Sequence, residues 1–348
     1  MVGQKPKRPL PAGVLPSERS WSDDEAGSRV RAKAPPGESA DAHGSQGFRP
    51  DPGSQTHQGP NRTPAERART LVDQLITLGP NDIKTVVRRL LPLGTFALEE
   101  IAHSFPGPLW RPSMATDSRL PRPEEISASA AALATFEGEA IPYLRRLMQS
   151  SNPQARYYAT VICAAYSSTE LIEPLARVAL DEDRECRRVA LHLLSAYQHQ
   201  PVYRRALGEL RRCAADTARP LPVRRHAISA LTQLRDEESA ALFVDLLADP
   251  DRGIGTASRV GLRVLTAHDF GFSRDPWLRW LSERGNEIRI QWLIEGLGDS
   301  RANIRVLASR ELWALTHFLQ PISETADRSE FLMAQRHYQG WWSKNHPA

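Results

Sequence analysis

Lysine is scarce in this chain. It occurs 5 times against 40 arginines in 348 residues. Arginine codons are GC-rich and lysine codons are not, so the imbalance reads first as genome composition, and the plentiful Ala and Pro agree. The functional alternative is recognition of phosphate or carboxylate, for which the planar guanidinium fork is preferred. Cysteine is also scarce: Cys163, Cys186 and Cys213 are odd in number and have no C-x-x-C spacing. That argues against a disulfide framework and a structural zinc site, and reduced thiols in a cytoplasm fit best. No apolar run approaches the roughly 18 residues a membrane helix needs. The opening MVGQKPKRPL is basic with no apolar stretch behind it, so no secretory signal is expected. Val2 stands where myristoylation needs glycine. A large excess of one charge is missing too. The net charge of +4 and pI near 9.1 permit an anionic partner without demanding one.

Catalytic motifs are equally absent. There is no Gly-rich phosphate loop ending in Lys-Ser or Lys-Thr, no G-x-S-x-G and no H-E-x-x-H. His268-Asp269 could form an acid–base pair, but neighbours on one chain seldom face each other, so a loop role is preferred. The run Asp181-Glu182-Asp183 with Glu185 could attract a cation. It also precedes a helix, where acids favour the dipole regardless. The expectation is a protein with no catalytic, cofactor-binding or metal-binding residues.

What is present begins with a contrast. Residues 1–65 are rich in Pro, Gly and Ser, with Trp21 and Phe48 as the only aromatics. Such a segment buries too little apolar surface to offset its ordering entropy, and it reads as a disordered tail. Thr63-Pro64-Ala65-Glu66 then reads as an N-cap, a first-turn Pro and an early acid. Beyond it the chain is helical, and an internal repeat is visible. PQARYYATVICAAY from Pro153, RECRRVALHLLSAY from Arg184, LPVRRHAISALTQL from Leu221 and ANIRVLASRELWAL from Ala302 align without gaps. Ala159, Ala190, Ala227 and Ala308 form one column. Four residues on come Cys163, Leu194, Leu231 and Leu312, and seven on come Tyr166, Tyr197, Leu234 and Leu315. Spacings of 4 and 7 place all three columns on one helix face. Weaker copies run through Ser129, Leu133 and Phe136, and through Ser258, Leu262 and Leu265. Second helices with their own stripes lie between, for example Leu171, Leu175 and Val178. Each repeat is therefore a helix pair, and stacked pairs share one continuous core.

These repeats resemble HEAT repeats, in particular the short bacterial variety also called PBS-lyase HEAT-like. The resemblance covers about 66–320 and is strong over 124–315. It implies an all-α, armadillo-type α-solenoid, an α-α superhelix of stacked antiparallel helix pairs. It also implies a structural ladder. The family often carries an Asp in the turn within a helix pair and an Arg six residues later, which hydrogen-bond along the stack. Asp181 with Arg187, and Asp299 with Arg305, have that spacing. Asp249 lacks its Arg because Gly255 stands there, and Arg156 and Arg224 lack the Asp because Ser150 and Ala218 do. The paired His-Glu steps of the HEAT-repeat hydroxylase acting on deoxyhypusine are absent.

The chain thus divides into a tail (1–65), N-terminal helices with a capping loop (66–123), HEAT-like repeats (124–315) and a Trp-rich cap (316–348). Trp277, Trp280, Trp292, Trp313, Trp341 and Trp342 are expected to close the C-terminal end, where the last repeat has no neighbour. The architecture implies a monomeric cytoplasmic scaffold, without a cofactor or membrane anchor, that holds a protein or peptide on its concave surface. Second helices would line that surface. Tyr157, Arg188, His192 and Arg225 are the candidate contacts on first helices, serving if the contact reaches past the inner face. The alternative is nucleic-acid binding along rows of Arg, as in HEAT-like DNA glycosylases. The acids Glu170, Glu173, Glu185, Glu209, Asp236, Glu237 and Glu238 dilute such rows.

Overall fold

A computed structural model describes residues 62–110, 119–284 and 287–346. Most of the expected tail, with Trp21 and Phe48, and the middle of the 105–123 loop lie outside the described residues. Among those described, every regular element is helical. Strand-like pairing is confined to isolated bridges such as the antiparallel one between Leu109 and Ser127.

Helix α1 (Pro64–Leu75) starts where its cap chemistry places it. Thr63 Oγ1 accepts from Glu66 N at 3.3 Å, and Glu66 Oε2 accepts from Thr63 N at 2.8 Å. This capping box satisfies two otherwise orphaned donors. Helices α2 (Ile83–Leu90) and α3 (Thr95–His103) fold against α1. The loop that follows is stapled down, with Trp110 N donating to Ile126 O at 2.9 Å and Ser127 Oγ to Pro106 O at 2.6 Å. Phe105 is buried, and Leu109 and Trp110 pack at the edge of the same core.

After the short α4 (Pro123–Ile126) the repeats begin. One layer comprises α5 (Ala128–Thr135), α7 (Pro153–Ile162), α9 (Arg184–Ser195), α11 (Leu221–Gln233) and α13 (Arg252–Thr266). The other comprises α6 (Ile141–Leu147), α8 (Ile172–Val178), α10 (Pro201–Ala215) and α12 (Ser239–Leu246). The helices pack as adjacent antiparallel pairs, consistent with a helical-repeat arrangement. The tight partners are α8 with α9, α10 with α11 and α12 with α13, joined across the short turns that hold the aspartates. The packed unit therefore starts one helix earlier than the sequence columns suggest.

The columns explain the stacking. All four alanines are fully buried, and so are Ser129, Leu133, Ser258, Leu262, Leu194, Leu231 and Leu312 or nearly so. Small residues in the first column let neighbouring backbones approach. The third column adds a polar tie between repeats: Tyr166 Oη donates to Leu133 O at 3.1 Å, and Tyr197 Oη to Tyr166 O at 3.3 Å. A buried phenol needs a partner, and each finds one in the preceding copy. The column fails at its end, because Leu315 is exposed. Its helix α16 (Ala302–Thr316) meets α13, α15 and α17, and none of them covers that position.

Past α13 the chain inserts α14 (Arg274–Arg284) against α12, then pairs α15 (Arg289–Gly296) with α16, and closes with α17 (Arg328–Asn345). Helices α13 and α16 end alike. Thr266 and Thr316 each donate to the carbonyl four residues back at 2.7 Å, and each accepts from the amide two residues on. Ala267 and His317 both take a left-handed conformation, with φ of 52° and 50°.

The expected aromatic cap needs correction. Trp277, Trp280 and Trp292 are buried inside the stack, because α15 to α17 continue beyond them. Trp277 joins the large core that begins at α1, while Trp280 meets Trp292 edge-on at 5.4 Å. Among the described residues, Trp341 and Trp342 of α17, with the half-buried Trp313, lie beside the last helix of the stack, and His346 stacks on Trp342 at 3.7 Å.

Candidate binding face

The ladder differs from its expected form. Arg187 does not reach the carboxylate of Asp181. Its Nη1 donates to the backbone carbonyls of Asp181 at 2.7 Å and Glu182 at 2.9 Å. Arg305 does the same with Asp299 O at 2.9 Å and Ser300 O at 2.8 Å. Six residues bring an arginine back over its own turn, so it caps that turn's carbonyls. The Asp299 carboxylate holds Arg301 of its own turn at 2.8 Å, but those of Asp181 and Asp249 point along the stack to the preceding repeat. Arg156 Nε and Nη2 donate to Asp181 at 2.8 and 3.2 Å, and Arg224 Nη2 donates to Asp249 at 2.6 Å. Arg156 and Arg224, which the six-residue spacing left without partners, are the ones that make the inter-repeat rungs. These charge-assisted bonds between nearly buried groups raise the Arg156 guanidinium above its usual range. Burial pushes the Asp249 carboxyl up, but the Arg224 bond and charge hold it below the ordinary range.

In the turns that lead into α9, α11, α13 and α16, an Asp Oδ1 accepts from the amide two residues on: Asp181, Asp216, Asp249 and Asp299, at 2.8, 3.0, 2.9 and 2.8 Å. Three are tucked into the stack, with side-chain exposures of 10, 6 and 11% for Asp181, Asp249 and Asp299. Asp216 is 47% exposed and pairs only loosely with Arg219, at 3.5 Å. The preceding helix α10 runs to 15 residues where α8 has 7, so this turn is displaced outward. Along the same stretch α9 and α11 lose the close packing that joins α7 to α9 and α11 to α13. A cavity of about 180 Å³ opens between them, lined by Arg184, Arg187, Arg188, Leu191, His226 and Gln233.

The four sequence-derived contacts fall differently. Tyr157 is buried among its neighbours, and burial pushes its phenol up to about 12. Its aromatic ring meets Tyr158 edge-on at 5.0 Å, so it is interior packing and the surface role is corrected. Arg188 is half-buried and lines the cavity, holding Glu185 at 2.6 Å. His192 is half-buried one turn further along α9, its imidazole lowered by burial and by Arg188. Arg225 is exposed on α11, 4.0 Å from Asp251. Arg187, expected only as a ladder residue, and His226, not expected at all, belong to the same cavity. The divergence of α9 from α11 was not legible in the sequence, since no local pattern encodes it.

The weak chemical candidates are absorbed by structure. His268 lies 3.7 Å from Glu295 and against Trp280, while Asp269 holds Arg259 at 2.8 Å. Asp183 caps α9 by accepting from Cys186 N at 2.9 Å, and Glu182 holds Arg156 at 3.1 Å. Burial pushes the Cys163 thiol up to about 12. Among the described residues no cluster of three or more His, Cys, Asp or Glu is placed to hold a metal ion, and no helix is long and apolar enough to cross a membrane.

No family model matches the chain, and no curated protein matches it. Among solved structures, an engineered protein from a structural-genomics programme is 15% identical, covering 72% of this chain and 90% of that one, with a TM-score of 0.19. Superposition that poor carries no argument about fold or function.

Proposed function

We propose that this protein is a HEAT-type scaffold without catalytic activity of its own, which holds a protein or peptide partner on the face presented by α9 and α11. The observation that carries this reading is the break between those two helices. Between α7 and α9, and between α11 and α13, interior side chains are spent on the next repeat. Between α9 and α11 a polar, arginine-lined recess opens to solvent instead. Solenoids recognise partners on such extended repeat surfaces. Three unpaired, buried or half-buried thiols suit a reducing compartment such as the cytoplasm.

The test is site-directed photocrosslinking of the full chain in its own cells. A crosslinker at Gln233, beside the recess, is expected to trap one protein at high yield. The same group at Glu173, on the other layer, is expected to trap little. No adduct from either layer would overturn the scaffold reading. Nucleic acid is the second reading. It predicts binding that weakens steeply with salt. Against it, several exposed arginines already face acids, as Arg146 does Glu99, Arg212 does Glu209 and Arg274 does Asp245.

A further inference from the structure

Within the ladder, one rung opens onto a cavity. Arg156 uses Nη1 on the carbonyls of its own turn and Nε with Nη2 on Asp181, one turn further along, while Arg224 gives Nε to Ala214 O and Nη2 to Asp249. Arg305, the last of the row among the described residues, meets no carboxylate there, and its Nε is buried without a hydrogen-bond partner. Its guanidinium carbon sits 5.3 Å from the ring centroid of Phe331, which closes the row. Arg187 stands between Arg156 and Arg224. Its Nη1 is anchored on the carbonyls of Asp181 and Glu182, which fixes the plane of the fork. The carboxylate that should meet its other edge belongs to Asp216, which has swung out to Arg219. Among the described residues, no hydrogen bond reaches Arg187 Nε or Nη2. The cavity lies on that side.

The surroundings favour an anion. Burial pushes the Arg187 guanidinium down from its usual range, a cost that a carboxylate partner would offset. His226, across the cavity on α11, points Nδ1 at Leu180 O, 3.3 Å away. Its imidazole is lowered by burial and by Arg187, so at neutral pH it adds a polar wall and no second full charge. Arg188 flanks the mouth with its charge already shared with Glu185.

Resting on the scaffold reading, we propose that the recess between α9 and α11 binds an Asp or Glu side chain supplied by the protein partner. The incoming carboxylate takes Nε and Nη2 of Arg187 as Asp181 takes those of Arg156. The partner thus completes the ladder in trans. The fork geometry makes the site a bidentate receptor, so a carboxylate is preferred over a neutral amide of the same shape.

The experiment follows the Arg187 Nε–H signal of the full chain by NMR, assigned by its loss in Arg187→Lys. Two short acetylated peptides, one with a central Asp-Asp and one with Asn-Asn, serve as probes. The Asp peptide is expected to shift the signal saturably, and the Asn peptide to bind at least about tenfold more weakly. Arg187→Lys keeps the charge and loses the fork, and should weaken the Asp peptide by about tenfold, read from other pocket signals. Arg187 also holds its own turn, so Gln233→Glu provides a check on an exposed residue. A carboxylate built into the cavity should abolish the response without unfolding the chain. Equal response to both peptides would overturn the proposal. So would a phosphoserine peptide or a DNA duplex displacing the Asp peptide at a tenth of its concentration, an order-of-magnitude criterion for a site built for phosphate. With the crosslinker moved to Ser229, which also lines the cavity, a protein adduct that persists in Gln233→Glu would overturn the carboxylate site and leave the scaffold standing.

Discussion

Glu311 shows how a single buried group can tie distant parts of the chain. It accepts from Arg235 Nε at 2.7 Å and Nη2 at 2.6 Å, and from Arg289 Nη2 at 2.7 Å. Arg289 is 2% exposed and also donates to Leu265 O and Val264 O at 3.1 Å. Removing the charge leaves that guanidinium uncompensated. Glu311→Gln should lower the unfolding free energy by about 3–5 kcal/mol, measured by chemical denaturation. Burial pushes the Glu311 carboxyl up, but the bonds and charges of Arg235 and Arg289 outweigh it and hold the group below its ordinary 4.5. A depressed folded value means that the stabilisation is fully present above about 4.5 and drains away as pH falls through the folded value. Acidification should therefore destabilise the natural chain more than Glu311→Gln, compared by denaturation midpoint across that range. None of this was legible in the sequence. Glu311 looks like an ordinary solvated acid on a helix, and its partners stand 76 and 22 residues away.

Elements meet most closely where glycine replaces a side chain. Gly261 of α13 is such a point: a Cβ there would lie 2.5 Å from Phe243 Cε2 and 2.8 Å from Thr232 Oγ1. Phe243 is fully buried and has nowhere to move. Gly261→Ala should lose about 1–3 kcal/mol to overpacking, despite alanine's better helix propensity. Gly208 in α10 has nothing within 4 Å of the corresponding position. Gly208→Ala should gain about 0.5–1 kcal/mol, so the pair of melting temperatures should move in opposite directions. At this scale the sequence is most readable. Columns at 4 and 7 residues correctly placed Ala159, Ala190, Ala227 and Ala308 in the interior, because the helical period leaves them nowhere else to face. The same reasoning misplaced Tyr157. It lies off those columns, but α9 packs along α7 and covers more than one stripe of it.

Across the whole molecule the core has two parts. One runs from α1 to Trp277, and the other gathers α15, α16 and α17 around Leu293, Leu312 and Tyr338. The joint between them is made by Trp280 against Trp292 and by the Arg235–Glu311–Arg289 network. In a stack, each unit feels chiefly its neighbours. Trp292→Ala should cost about 3–5 kcal/mol locally. By hydrogen exchange, it should loosen α15 to α17 while α5 to α9 keep their protection. Uniform loss of protection over the chain would show that the two parts unfold as one.

Periodicity determined the helices, their apolar stripes and the fact of stacking, since an amphipathic segment of repeating pattern must bury its stripe against a copy of itself. It also marked Asp181, Asp249 and Asp299 as turn residues. Which arginine each carboxylate meets was decided only in three dimensions. The six-residue spacing looks like a pair along the chain, but a side chain that curls back over its own turn meets carbonyls, and the carboxylate is presented to the previous turn. The extra length of α10 then carries Asp216 away from Arg187. One arginine is left open between α9 and α11 because of a displacement that begins in a helix elsewhere in the stack.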